Sequence, residues 1–132
     1  MSRCPLGQLQ RQHIRAQFAS GKRVFRGTQP VHCPADPGDF GIGTYHTTSK
    51  ARARCHGRVA EHVVTLHNPL VMESGKVYEL IAERFMTCRG TMASRKTGAV
   101  AATRVLRCLG FDGVVSVSLV HPELEVLVFP PV

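Results

Sequence analysis

The stretch GAVAATRVLRCLGFDGVVSVSLVHPELEVLVF, residues 98–129, decides the fold class. From Gly98 to Leu109 the apolar residues Val100, Val105, Leu106 and Leu109 recur at helical spacing. The run stops at Gly110, a residue suited to the left-handed turn that ends a helix. Val114 to Val120 and Leu124 to Phe129 are then two strands, separated by His121, Pro122 and Glu123 at a hairpin or tight corner. Helices interrupt strands irregularly along the rest of the chain, so an α+β fold is expected rather than a doubly wound parallel sheet.

Working back toward the N-terminus, Gln8 to Phe18 is polar with spaced Leu9, Ile14 and Phe18, and predicts a surface helix ending at Ser20-Gly21. Arg23 to Arg26 is a short β-type run closed by Gly27. Thr28 to Gly43 is rich in Pro and Gly and predicts a loop, of a length that is often functional when ordered. Thr44 to Thr47 predicts a short strand, after which Thr48 or Ser49 can cap a helix over Lys50 to Arg54 that stops near Gly57. Val59 to Leu66 predicts a strand, Asn68-Pro69 a turn, and Val77 to Met86 a helix. No repeat or internal linker divides the chain, which is expected to form one domain over residues 1–132, with a helix within 1–21 and the core within 22–132.

With 132 residues, 43% hydrophobic and 20% charged, the composition is that of a globular domain and not of a disordered chain. Nothing approaches the roughly 20 apolar residues needed to span a bilayer, and Met1 to Gln10 lacks the apolar stretch of a secretory signal. A soluble cytoplasmic protein is expected. The five cysteines are scattered without a CxxC pair, which predicts reduced thiols; Cys55-His56 and His32-Cys33 make poor chelates, so no metal is expected. A net charge of +8 favours an acidic partner, such as nucleic acid, a phosphate-bearing ligand or an acidic protein surface. Aromatics are not interleaved with the basic clusters, as stacking platforms for nucleic acid require.

Three segments can carry chemistry. Phe25-Arg26-Gly27-Thr28 ends a strand with a guanidinium able to grip a phosphate or carboxamide, beside a glycine that lets backbone approach a ligand. Gly41-Ile42-Gly43-Thr44-Tyr45-His46-Thr47-Thr48-Ser49 offers a tight glycine loop, an aromatic able to stack on a planar ring, and hydroxyls before a helix. Glu123-Leu124-Glu125 opens the last strand with two carboxylates on one face, while Leu124, Val126 and Val128 point the other way. Carboxylates so close repel, and can act as a general acid/base or cation-binding pair. Each segment also has an ordinary structural reading: a solvated arginine, a capped turn, and solvent-facing edge glutamates. His46 alternates with Tyr45, and His62 with Glu61, so the members of each pair face opposite ways.

The order of these segments resembles the ADP-ribosyltransferase superfamily. There an Arg or His ends the first core strand, a Gly-rich turn followed by Tyr or Ser/Thr begins the second, and a Glu near the start of a late strand completes the set. VFRGT, GIGTYHTTSKARA and ELEVLVFPP are similar to those three elements, and VTLHNPLV and LGFDGVV to intervening stretches of small phage and bacterial members. The resemblance spans about Arg23 to Pro131. It implies a split β-sheet NAD-binding core with flanking helices, and a glycosyltransferase that cleaves NAD and passes ADP-ribose to a protein acceptor. Carried over by position, Arg26 would hold NAD, with Gly27 and Thr28 near the nicotinamide amide and Gly43 in the adjoining turn. Tyr45 would stack on the nicotinamide ring, with Thr47 or Ser49 in support; Thr47 competes with Tyr45 as the key second residue. Glu125 would stabilise the transition state, and Glu123 would orient the acceptor. The role of such a protein, toxin or phage effector, is open. Two other readings stand beside it: a basic nucleic-acid- or protein-binding module on an inactive transferase scaffold, and a hydrolase or nuclease built on Glu123 and Glu125, which lacks a third metal carboxylate nearby.

Overall fold

A computed structural model of the chain describes residues 7–28, 43–55, 57–73, 92–118 and 123–130. The loop expected over residues 28–43, except for its two end residues, and the helix expected over Val77–Met86 lie outside them; Thr28 is the last residue of the first strand. The elements are α1 (Gln8–Ala19), β1 (Lys22–Thr28), β2 (Thr44–Thr47), α2 (Lys50–Arg54), β3 (Arg58–Val64), β4 (Pro69–Glu73), α3 (Met92–Cys108), β5 (Gly113–Val117) and β6 (Leu124–Val128). The fold is α+β, with a mixed six-stranded sheet in the order β3-β1-β2-β6-β5-β4. Only β4 and β5 are parallel; β5–β6, β6–β2, β2–β1 and β1–β3 all run antiparallel.

The sheet buries apolar side chains on both faces, and one helix covers each. On the first face Ile14 and Phe18 of α1 pack with Val24, Val71, Val115, Val117 and Val126. On the second, Ala102 and Leu106 of α3 pack with Val114, Leu127 and Phe129, flanked by the half-buried Tyr45, Leu70 and Met72. This is why β5 reads as a nearly unbroken apolar run: all of Gly113–Val117 is buried, as expected of a strand covered on both sides. The expected facing of β6 also holds, with Leu124, Val126 and Val128 on the α1 face and Leu127 on the α3 face.

Two expectations are corrected. Pro69 does not merely turn the chain; it is the first residue of β4, where a missing N–H is tolerated because β4 is an edge strand. Helix α3 begins at Met92 rather than Gly98, because Gly98, poor as a helix former, is accommodated by burial within the helix. Its end is as expected. Gly110 has φ +94, the Gly110 N–H donates to Arg107 O at 2.9 Å, and the Phe111 N–H donates to Leu106 O at 3.0 Å. That paired return closes the last turn with a left-handed residue.

Asp112 then anchors the entry to β4 from across the chain. Its carboxylate accepts the His67 N–H at 2.7 Å and the Asn68 N–H at 3.1 Å, and Asn68 Nδ2 donates to Gly110 O at 3.0 Å. No helix among the described residues is long and apolar enough to cross a membrane.

Candidate functional site

Register decides which candidate residues meet. Thr47 lies directly opposite Glu125 on β6, Tyr45 opposite Leu127, and Glu125 in turn opposite Ser116 on β5. Thr47, Glu125 and Ser116 therefore form a row across three adjacent strands on the α3 face. Thr47 and Ser116 are buried, whereas the Glu125 side chain keeps 41% exposure. Of the two contenders for the second site residue, Thr47 is the direct neighbour of Glu125, and Tyr45 sits one pair further along the same face.

The junction after β2 clamps this row. The Thr48 N–H donates to Leu124 O at 3.0 Å, and the Leu124 N–H donates to Thr48 Oγ1 at 2.8 Å. Thr47 Oγ1 accepts the Ser49 N–H at 3.1 Å, and Ser49 Oγ caps α2 by accepting the Arg52 N–H at 3.1 Å. The sequence offered Thr48 or Ser49 as the cap; Ser49 takes that role and Thr48 locks the start of β6. Short as it is, α2 brings Arg52 to Glu125, with guanidinium and carboxylate 3.7 Å apart. Motif reading gave Arg52 and Ser116 no part in the site, and Thr48 only that of a helix cap. Strand pairing brings Ser116 to Glu125 and an ion pair brings Arg52 there, neither of which a local pattern encodes. Thr48→Val leaves the Leu124 N–H without its hydroxyl and should cost about 1–2 kcal/mol, read as a lower urea midpoint. An unchanged midpoint would show that the clamp carries no stability.

Arg26 does not join this group. Phe25 pairs with Thr47, so Arg26 and His46, one residue along on each strand, leave the sheet on the opposite, α1-side face. There His46 meets His62 edge to face, with ring centroids 5.4 Å apart. Arg26, expected beside Tyr45 and Glu125, thus lies on the face opposite them. Gly43 also has a different partner from the one expected. It has φ +154, and a side chain there would collide with the Val128 carbonyl, so it permits a close approach to β6. Gly27 is paired to Val59 within the β1–β3 ladder. Glu123 is half-buried immediately before β6, and Thr28 ends β1. Cys55 and Cys108 are exposed and unpaired.

Burial, reinforced by His62 and by the Arg26 guanidinium, pushes the His46 imidazole down from 6.5 to about 4. The unfolded chain binds that proton near pH 6.5 and the folded chain only near pH 4, so the stabilisation is complete above 6.5. It is lost as the pH falls through that window, by up to about 3 kcal/mol. Urea midpoints should therefore fall from neutral pH to acid, and fall less steeply in His46→Gln; parallel slopes would remove His46 as the cause.

Among the described residues no group of three or more His, Cys, Asp or Glu side chains is placed to hold a metal ion. The arrangement at Glu125 is a part-exposed carboxylate on a rigid strand, flanked by two hydroxyls and one guanidinium. It can accept hydrogen bonds from a polyhydroxylated ligand and stabilise positive charge beside it. No protein-family model and no curated protein matches this chain. The crystal structure of an anti-CRISPR protein is similar over 83% of this chain and 90% of its own, at 17% identity and a TM-score of 0.44.

Proposed function

We propose that this protein is a cytoplasmic mono-ADP-ribosyltransferase that cleaves NAD at the nicotinamide–ribose bond and transfers ADP-ribose to a protein acceptor. The observation that supports this reading is the direct pairing of Thr47 with Glu125. It joins the second and third segments of the resemblance on neighbouring strands, with the strand of the first segment, β1, on the other side of β2. The split core that the resemblance implies draws support from the β1–β2 pairing, which holds at one position, Phe25 with Thr47, against seven between β1 and β3.

In this reading Glu125 accepts a hydrogen bond from the nicotinamide ribose. Its charge opposes the positive charge that develops at the ribose carbon as nicotinamide leaves. Thr47 holds the carboxylate's flank, and Tyr45 offers a ring face on the same side of the sheet. We assign the nicotinamide-ribose end of the site to Thr47, Tyr45 and Glu125, which share a face, and leave out Arg26, which lies on the other. The test is release of nicotinamide from NAD by the purified protein, followed by mass spectrometry of a lysate incubated with both; absence of nicotinamide release would sink the reading.

A second reading rests on a separate observation. Lys50, Arg52 and Arg54 are all exposed on α2, in a chain of net charge +8. A module that binds nucleic acid or an acidic protein surface would use that strip. It would show a salt-dependent mobility shift without consuming NAD.

A further inference from the structure

The face of the sheet opposite Glu125 carries a second cluster that the reaction does not use. His46 is 8% exposed, and its Nδ1 is buried with no hydrogen-bond partner among the described residues. A buried polar atom left in that state costs free energy, which a bound group would recover. His62, exposed on the edge strand β3, stands against the His46 ring. Arg26, exposed on β1 between them in the sheet order, is near enough for its charge to act on His46. Among the described residues, Glu61 is engaged with Arg23 at 2.7 Å, Glu125 with Arg52, and Asp112 with the His67 and Asn68 backbone. Arg11 and Arg15 reach the same face from α1, on the helix stripe of Ile14 and Phe18, each with a buried Nε lacking a partner among the described residues.

We infer that Arg26, His46 and His62 form a binding site for a phosphate group on the α1-side face of the sheet, separate from the Glu125 row. The chemistry selects an anion over a metal ion. A guanidinium is permanently positive, presents N–H donors suited to phosphate oxygens, and repels a cation held by the neighbouring imidazoles. Each imidazole adds a donor, and His62 and Arg26 keep the site open to solvent while His46 forms its floor.

The inference does not depend on NAD cleavage, and the experiment keeps the two apart. Inorganic phosphate is titrated into the intact protein while the imidazole nitrogens are followed by NMR. The His46 and His62 signals should move together along one saturable curve. Arg26→Ala and His62→Ala change exposed side chains, and each should weaken that curve by about tenfold, the value of one charge-assisted hydrogen bond. Glu125→Gln should leave it unchanged. A parallel titration with AMP separates the sources of the phosphate: tighter binding than inorganic phosphate marks a nucleotide, and equal binding marks the free anion. The proposal is overturned if neither probe gives a saturable shift, if the curve survives both substitutions, or if zinc ion saturates the same signals and phosphate does not.

Discussion

Glu125→Gln is expected to slow nicotinamide release from NAD by on the order of 100-fold or more, with little change in stability. Glutamine keeps the shape of the side chain and can still accept a hydrogen bond from a ribose hydroxyl. What it removes is the negative charge facing the ribose carbon, and charge that matters only in the transition state appears in kcat rather than in binding. Stability should hardly move. The pair lost is Arg52 with Glu125, 3.7 Å apart and with both side chains substantially exposed, and exposed pairs contribute about 0–1 kcal/mol. The measurement is initial-rate nicotinamide release by chromatography, alongside a urea titration of the same preparations. Arg52→Ala is the informative companion: it breaks the same ion pair but keeps the carboxylate, so most of the rate should survive. Equal losses in the two variants would assign the effect to the ion pair, and an undiminished rate in Glu125→Gln would remove the carboxylate from the reaction.

Local chemistry made much of this architecture legible. Strand β2 over Thr44–Thr47 follows from its β-type residues, α2 over Lys50–Arg54 from the hydroxyl cap before it, and the end of α3 from Gly110. Each depends on residues within a few positions of one another. Strand β4 escaped because Pro69 carries a turn signal, and its tolerance on an edge is a property of the sheet, not of the segment. Of the candidate site, Thr47, Tyr45 and Glu125 were legible as single residues, but not the register that groups them. Alternation alone separates Tyr45 from His46 and Glu61 from His62. It cannot say whether Arg26 shares a face with Tyr45, because that depends on the single pairing of Phe25 with Thr47. Nor could the motif choose between Tyr45 and Thr47, two residues apart on one strand and therefore on one face. On β6, Glu125 falls opposite Thr47, and Leu127 opposite Tyr45. Arg52 and Ser116 belong to the same class: nothing near them in the chain marks them as neighbours of Glu125.

The largest loss of stability is expected from Phe18→Ala, about 3–5 kcal/mol. Phe18 is 0% exposed and, with Ile14, forms the α1 contribution to the first core cluster. Truncation removes the transfer free energy of the ring and leaves a cavity against Val24 and Val126, which rigid strands cannot collapse to fill. The helix has little else to hold it. Its N-cap, Gly7, offers no side chain, and its other large apolar residue, Leu9, is 81% exposed rather than packed. The backbone ties at its end, with the Leu66 N–H donating to Phe18 O at 3.0 Å, survive the substitution but do not replace the ring. Against a total of about 5–15 kcal/mol for a domain of this size, the variant should unfold at a much lower urea concentration. Leu9→Ala should stay within about 0.5 kcal/mol of the parent, since an exposed side chain gives up no packing. Equal midpoints for the two variants would mean that α1 lies outside the cooperative fold. Because α1 covers the face opposite Glu125, the folded fraction of Phe18→Ala should also turn over NAD at the parental rate per molecule. A loss of rate in protein that is still folded would show that the two faces are mechanically coupled through β6, which carries Glu125 and residues of both core clusters.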